Sequence, residues 1–274
     1  MANTPRPIPL NHFLTVLDSD TYRAIKEDPF LRNEFAVTEE RTTTRTDISY
    51  TGLYFYGDNT YFEFFDAAKQ PLGKLGDSAL AFGVDQAGTL EPIETQLAAE
   101  FSVGPVITRE FGGKQVPWFY MGVPKLFPDS GLRIWIMEYH PHFLIEWNPQ
   151  PDAHESGVSR GQILKRYTEV LKGRPPHPYL KDVTALTLAV DDSTRSRLID
   201  LCKVFGYRAR VEAAGAVLEG PEIELHLTPQ TSQVRGLQQI TMSVNGRPDK
   251  QTEFRFGARS VLKFEEDGLA RWAF

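Results

Sequence analysis

The chain has little of several features that commonly indicate a function. It holds one cysteine, Cys202, and therefore forms no internal disulfide. The chain contains no run of about 18 apolar residues, which is the length that a helix needs to cross a membrane. No glycine-rich phosphate-binding loop and no G-x-S-x-G nucleophile motif is present. These absences exclude a disulfide scaffold, a P-loop nucleotide hydrolase and an α/β-hydrolase.

Basic charge is also scarce. Thirty lysines and arginines stand against 36 acidic residues, so the formal net charge is −6. A chain with this balance has no strong positive field to gather phosphates, and we expect neither nucleic acid nor a membrane as a partner. The first residues lack the apolar stretch of a secretory signal, which favours a cytoplasmic location. A small molecule is the expected partner, and association into a homo-oligomer stays open.

What the sequence does contain is a repeated order of elements. Residues 8–17 are rich in strand-forming side chains, and Asp18 is placed to cap a short helix that ends before Pro29. Three further strand-like runs follow at residues 35–44, 48–56 and 60–66. This pattern predicts a β-α-β-β-β unit over residues 8–66.

The same order returns along the chain. The second unit covers residues 78–139, with a helix predicted over residues 89–101 and a last strand over residues 132–139. A third unit covers residues 183–227. Residues 236–274 contain strand-like runs without a helical pattern, which predicts either a fourth unit that lacks its helix or strands that complete the third unit.

These units predict an α+β fold of two lobes, in which tandem βαβββ units pair and form cupped mixed sheets. The first lobe takes residues 1–150 and the second lobe residues 179–274. The intervening residues 151–178 are rich in proline and polar side chains, and they include one helix predicted over residues 159–171.

The order of elements resembles the vicinal oxygen chelate superfamily, which contains glyoxalases, extradiol dioxygenases and bleomycin-resistance-type binding proteins. Residues 185–192, the helix end at residues 201–207 and the strand at residues 223–225 are similar to local patterns of that superfamily. Residues 51–57 and 60–65 also look like a glyoxalase-like family of unassigned function. The resemblance implies a metal inside a cupped sheet, held by the first and last strands of two paired units.

Carried onto this chain, the resemblance implies a ligand set in the first lobe. His12 lies in the first strand and Glu63 in the last strand of the first unit, and Glu138 lies in the last strand of the second unit. The fourth ligand position holds Ala79, and His140 is placed to complete the set because it shares a strand face with Glu138. Such a set would hold a divalent Fe, Mn, Ni or Zn ion.

The function implied is a metal-dependent enzyme of the glyoxalase or dioxygenase type, acting on a small molecule with vicinal oxygens. In it, the carboxylates of Glu63 and Glu138 are the candidate catalytic groups. Because Ala79 replaces a ligand, a non-catalytic small-molecule-binding protein with a degenerate metal site is the alternative. For Glu63 itself, the alternative role is a salt bridge to Arg41 or Arg45.

Overall fold

The computed structural model describes residues 7–69, 73–97, 100–125, 131–147, 159–171 and 173–274. The helices are α1 Ser19–Glu27, α2 Leu90–Leu97, α3 Phe143–Trp147, α4 Arg160–Val170 and α5 Asp192–Val204. The first nine strands are β1 Leu10–Leu17, β2 Val37–Thr44, β3 Ser49–Tyr56, β4 Tyr61–Asp66, β5 Ser78–Val84, β6 Phe101–Val103, β7 Ile107–Phe111, β8 Lys114–Pro124 and β9 Leu132–Tyr139. The others are β10 Leu180–Val190, β11 Arg208–Glu212, β12 Gly215–Glu219, β13 Glu224–Pro229, β14 Gly236–Val244, β15 Glu253–Phe256, β16 Ser260–Phe264 and β17 Leu269–Ala273.

These strands form two mixed sheets, which confirms the predicted α+β fold with cupped sheets. The first sheet has the order β2-β3-β4-β1-β5-β9-β8-β6, and β7 also pairs with β8. The second has the order β11-β12-β13-β10-β14-β17-β16-β15. In each sheet, two halves meet where the first strands of successive units pair antiparallel, β1 with β5 and β10 with β14.

One hydrophobic core lies between the two sheets. Phe62 and Phe64 from the first sheet pack with Leu186 and Trp272 from the second, and all four are fully buried. The ring centroid of Trp272 lies 5.2 Å from that of Phe64. The opposite face of the first sheet carries a separate apolar cluster. The second sheet does not pack against this face, which leaves room there for a cavity.

The predicted helix starts follow from side-chain caps. Asp18 accepts hydrogen bonds from the amides of Asp20 and Thr21 at the start of α1. Asp191 accepts from the Thr194 amide at the start of α5, and Ser159 begins α4 with a capping box. Each cap satisfies amide groups that have no partner within the helix.

Other boundaries differ from the prediction. The helix expected over residues 89–101 is described as Leu90–Leu97, and Phe101–Val103 at its expected end is a strand that pairs antiparallel with β8. A π-helical turn, Leu31–Phe35, occupies the start of the strand expected from residue 35. The short helix α3 was not predicted. Residues 151–158 of the expected connection lie outside the described residues.

Arg160, at the start of α4, ties the two sheets together. Its side chain is almost fully buried, and Nη1 donates to the Leu10 carbonyl at 2.8 Å. Nη2 donates to Glu222 at 2.8 Å, and Nε donates to Asp85 at 3.2 Å. This contact fixes the start of β1, the strand that carries His12. None of the helices in the described ranges is both long and apolar enough to span a membrane.

Candidate small-molecule cavity

A cavity of about 500 Å³ opens on the concave face of the first sheet. This volume is in the usual range for small-molecule sites. Its lining includes buried aromatic and apolar side chains and a few polar ones: His12, Leu14, Arg45, Tyr50, Tyr61, Glu63, Trp118, Phe119, Met121, Trp135 and Met137. Asp47, Val123 and Arg133 are exposed at its rim. The cavity thus runs from a solvent-exposed rim to a buried floor.

His12 and Glu63 meet at this floor. The strands β1 and β4 are parallel neighbours, with Leu14 in register with Glu63. This pairing places His12 Nε2 3.7 Å from Glu63 Oε1. Both side chains are buried, with relative exposures of 6% and 5%. The distance is too long for a direct hydrogen bond, so both atoms stay available to a ligand.

The neighbours of His12 fix its tautomer. Nδ1 lies 2.7 Å from the side-chain oxygen of Asn11, and an amide oxygen only accepts hydrogen bonds. The other end of the Asn11 amide donates to the Tyr139 hydroxyl at 3.5 Å. The imidazole therefore carries its proton on Nδ1 and presents the lone pair of Nε2 to the cavity. Tyr61 stacks on the ring, and Trp135 contacts it edge-on.

Burial shifts the protonation of both groups towards their neutral forms. It lowers the pKa of His12 to about 3, and the positive charge of Arg41 acts in the same direction. It raises the pKa of Glu63 to about 8, although the charge of Arg41, a hydrogen bond from the Tyr61 hydroxyl and the charge of Arg45 oppose the rise. At neutral pH the floor therefore holds a neutral imidazole beside a carboxyl group that is mostly protonated.

Neither candidate arginine forms a salt bridge with Glu63. Arg41 donates to Glu39 at 2.7 Å and lies over the Tyr54 ring. Arg45 binds Asp47 through two hydrogen bonds of 2.8 and 2.6 Å. The alternative role predicted for Glu63 is therefore not what the structure shows.

The structure does not bring Glu138 to this pair. Its carboxylate accepts hydrogen bonds from the amides of Gly88, Thr89 and Leu90 at 2.7, 2.9 and 2.9 Å. These amides begin α2, where a negative charge is favourable. The side chains of β9 alternate between faces, and Trp135 lies in the cavity lining, so Glu138 faces the opposite side of the sheet. The expectation that Glu138 faces the cup therefore needs correction.

His140 also lies away from the cavity. It follows the end of β9, and its Nδ1 accepts a hydrogen bond of 3.2 Å from the amide of His142. Burial and the neighbouring His142 lower the pKa of its imidazole. His140 thus shapes the turn after the strand and is not a neighbour of His12.

Strand register explains why the second unit adds no ligand. Phe13 pairs with Leu80 across β1 and β5, so the local two-fold relation places Ala79 where the first unit has His12. Glu63 is in register with Leu14, and the corresponding position of β9 is occupied by Trp135. The second unit therefore presents an alanine and a tryptophan where the ligand pattern needs donors.

The remaining donor set does not fit a divalent metal. Within the part of the chain that the structure describes, no group of three His, Cys, Asp or Glu side chains is placed to hold one. His12 and Glu63 supply two donors, whereas protein sites for the predicted metals use three or four.

Sequence reasoning missed one residue that supports the cavity floor and one residue at the cavity rim. Asn11 orients His12, and its signal was a polar residue within a strand of apolar neighbours. Arg133 lies at the rim, and its signal was a cation two residues from Trp135 on the same strand face. Neither signal shows from the sequence which partner the side chain meets.

The pair at the floor has a defined chemical capacity. Protonated Glu63 offers an O–H donor, and His12 Nε2 offers an acceptor 3.7 Å away. One hydroxyl group of a ligand satisfies both, because it accepts from Glu63 and donates to His12. The same two groups also form an acid and a base within reach of one ligand atom.

Comparison with known proteins places the chain in a family. Residues 10–274 match the model of a family of unknown function, DUF5829. The chain belongs to this family. No curated protein matches it significantly in sequence.

Solved structures show similarity in fold. A hypothetical protein from Staphylococcus aureus superposes with a TM-score of 0.59 at 10% identity, over 96% of this chain and 98% of that one. An extradiol ring-cleaving dioxygenase from B. fuscum gives a TM-score of 0.41 at 12% identity, over 100% and 74% of the two chains. A xylose isomerase-like TIM barrel/4-hydroxyphenylpyruvate dioxygenase fusion protein gives 0.45 at 12% identity, over 84% of this chain and 34% of that one. At these two lower scores, neither dioxygenase bears on the chemistry of this chain.

Proposed function

We propose that this protein binds a small hydroxyl-bearing molecule with a planar apolar body in the cavity of the first sheet. The observation that carries the proposal is the pairing of His12 Nε2 with Glu63 Oε1, 3.7 Å apart at the floor of a cavity of about 500 Å³. The polar pair recognises the hydroxyl group, and the surrounding side chains hold the apolar body.

The walls of the cavity support a planar ligand. Tyr61 and Trp135 flank His12, and Trp118 and Phe119 line the same space. Aromatic side chains of this kind favour flat partners through stacking and edge contacts. A buried carboxyl group among them costs free energy in the unliganded protein, and a hydroxyl that bonds to it offsets that cost.

A metal-dependent enzyme of the glyoxalase or dioxygenase type is the other candidate, supported by the resemblance and by the position of His12 and Glu63 on the first and last strands of one unit. Two donors do not form the site that such chemistry requires. We therefore derive no reaction step through a metal. The geometry supports the small-molecule-binding alternative better.

Calorimetric titration with matched compounds tests the proposal. A panel of planar aromatic alcohols and phenols is compared with the corresponding methyl ethers, which keep the shape and lose the donor. We expect the best hydroxyl compounds to bind with a Kd of about 100 μM or tighter. Their methyl ethers should bind about tenfold more weakly, because His12 Nε2 then lacks its donor.

Three variants test the role of Glu63, and two of them are controls. Glu63→Met removes the polar contact at nearly constant length and should weaken hydroxyl compounds about tenfold or more. Glu138→Met changes a buried carboxylate outside the cavity, and Glu224→Met changes an exposed one on β13. Both should keep the wild-type Kd. Equal binding to wild type and Glu63→Met, or no binding by any compound, would contradict the proposal.

Metal ions form a separate arm of the same experiment. Mn²⁺, Fe²⁺, Ni²⁺ and Zn²⁺ are each added to wild type and to His12→Gln, and the unfolding midpoint is measured. The proposal predicts no stabilisation that depends on His12. A midpoint raised in wild type alone would favour the metal-dependent enzyme instead.

A further inference from the structure

Arg133 is a cation at the rim of the cavity. Its side chain lines the rim of the cavity, on the strand face that also carries Trp135 and Met137. Arg41 and Arg45 are each paired with a carboxylate. Arg133 makes no hydrogen bond or ion pair with any other residue in the described ranges.

The carboxylate that acts on Arg133 is already engaged. Asp77 is the acidic group whose charge favours the Arg133 cation, and its Oδ1 lies 2.7 Å from Arg235 Nη2. Partial burial lowers the pKa of Arg133 in spite of Asp77. The guanidinium thus lines the exposed end of the cavity without a counter-ion of its own, which favours an anion at the rim.

The position of Arg133 on β9 indicates how far the rim lies from the His12–Glu63 pair at the floor. Trp135 contacts the His12 ring edge-on, with centroids 5.5 Å apart. Arg133 is two residues before Trp135 in β9, which is about 7 Å between Cα atoms. It is also in register with Ala79, whose small side chain leaves space beside it. Arg133 and the floor line the same cavity of about 500 Å³, and this volume accommodates a bicyclic molecule.

We propose that the ligand of this cavity is a hydroxyaryl carboxylate, with its hydroxyl at His12 and Glu63 and its carboxylate at Arg133. This inference rests on the proposed function and adds the second recognition point. The planar fork of a guanidinium matches a carboxylate through two parallel hydrogen bonds. The exposed end of the cavity suits the charged group, and the buried end suits the neutral hydroxyl.

The test compares a rigid acid with its neutral counterpart. The probe is a hydroxynaphthoic acid with its two groups at opposite ends of the ring system, and the reference is its primary amide. Titration calorimetry at pH 7 measures both. We expect wild type to bind the acid about tenfold more tightly than the amide, since hydrogen bonds to charged groups are the stronger ones.

Variants assign the preference to Arg133. Arg133→Gln should bind the acid and the amide equally, with the amide unchanged from wild type, and Arg133→Lys should retain part of the preference. Arg247→Gln changes an exposed arginine that follows β14 of the second sheet, and this variant should retain the full preference for the acid over the amide. Glu63→Met should weaken both compounds.

The outcomes separate this inference from the proposed function. If wild type binds acid and amide equally, or if Arg133→Gln keeps the preference, the carboxylate assignment is wrong while small-molecule binding stands. If wild type binds neither this pair nor any hydroxyl compound of the earlier panel, the proposed function itself is wrong.

Discussion

Glu63 is the residue whose surroundings most need an explanation. Its carboxyl group is buried on the cavity face of β4 beside Tyr61, and the two nearby arginines are committed to Glu39 and Asp47. A group held in so costly a position marks a functional site more often than a structural one. Glu138 is as deeply buried, but three amides satisfy it. Burial alone therefore does not distinguish the two roles.

The two residues of the floor predict the pH dependence of stability. Glu63 has a folded-state pKa of about 8 against an ordinary value of 4.5, so stability falls as pH rises from about 4.5 to 8. His12 has a folded-state pKa of about 3 against 6.5, so its contribution is lost as pH falls from about 6.5 to 3. The two windows overlap from about pH 4.5 to 6.5, and there the two effects on stability oppose each other. From about pH 6.5 to 8, only Glu63 changes the stability with pH.

Denaturant unfolding at a series of pH values measures these slopes. Between pH 6.5 and 8, the free energy of unfolding of wild type should fall relative to Glu63→Gln by up to about 1.4 kcal/mol per pH unit. Between pH 3 and 4.5, His12→Gln should lose less stability than wild type on acidification. Parallel curves for wild type and both variants would show that neither group titrates as its burial implies.

Opposite effects on stability are predicted for the two buried glutamates. Glu138→Met leaves three amides at the start of α2 without their acceptor and should cost about 2–4 kcal/mol of unfolding free energy. Glu63→Met removes a carboxyl group that burial penalises and should raise the unfolding midpoint at pH 8. Thermal unfolding measures both. A loss of stability in Glu63→Met as large as in Glu138→Met would assign Glu63 a structural role.

At the scale of elements, the site depends on the local shape of β1. The register between β1 and β5 shifts between Leu10 and His12, and Asn11 packs at this irregularity against Gly83. A Cβ added at Gly83 would lie 2.8 Å from the Asn11 Cβ. Since Asn11 orients the His12 ring, this contact couples a backbone position outside the cavity to its floor.

Gly83→Ala is predicted to weaken binding without touching the ligand. The added methyl group displaces Asn11 and should cost about 1–3 kcal/mol of stability, as overpacking does. It should also weaken hydroxyl compounds, because His12 loses the hydrogen bond that fixes its tautomer. Gly104→Ala is the matched control, since its Cβ meets only an ordinary contact at 3.8 Å. An unchanged Kd in Gly83→Ala would show that Asn11 does not position His12.

The positions of helices and strands were easier to predict from the sequence than the register in which the strands pair. The cap at Asp18, the helix predicted over residues 159–171 and most strands are local signals, and the structure confirms them. The position of Glu138 was not local. Its partners are amides about 50 residues earlier in the chain. The alternation of side chains along β9 shows which residues share a face, but without the strand register it does not show which face borders the cavity.

The missed helix α3 has a related cause. Phe143 and Trp147 are buried against the apolar cluster of the first sheet, but a five-residue helix is too short to show a helical period. The pairing of His12 with Glu63 was predictable because it depends on two neighbouring strands of one unit. Sites that draw on the second unit depend on register, which the sequence does not show.

At the scale of the whole molecule, the two sheets share one core. Trp272 from the second sheet contacts Phe35, Phe55 and Phe64 from the first half of the chain. Arg160 bonds to Asp85 from the first half and to Glu222 from the second. Neither half buries its apolar face alone, and we therefore expect the predicted lobes to fold as one cooperative unit.

Calorimetry and dissection test this expectation. Wild type should unfold in one transition whose calorimetric and van't Hoff enthalpies agree. Trp272→Ala should lower the free energy of unfolding by about 3–5 kcal/mol and leave a single transition. Residues 179–274 produced alone should lack fixed tertiary structure. Two resolved transitions in wild type, or a folded fragment, would show that the lobes are independent.

The position of a bound ligand tests the central claim most directly. Crystals of the protein are soaked with the tightest hydroxyaryl compound of the panel, and the structure of the complex is determined. We predict density in the cavity of the first sheet, with the hydroxyl oxygen within about 3.2 Å of both His12 Nε2 and Glu63. A compound bound elsewhere, with this cavity filled only by water, would contradict the claim that the His12–Glu63 pair is the recognition site.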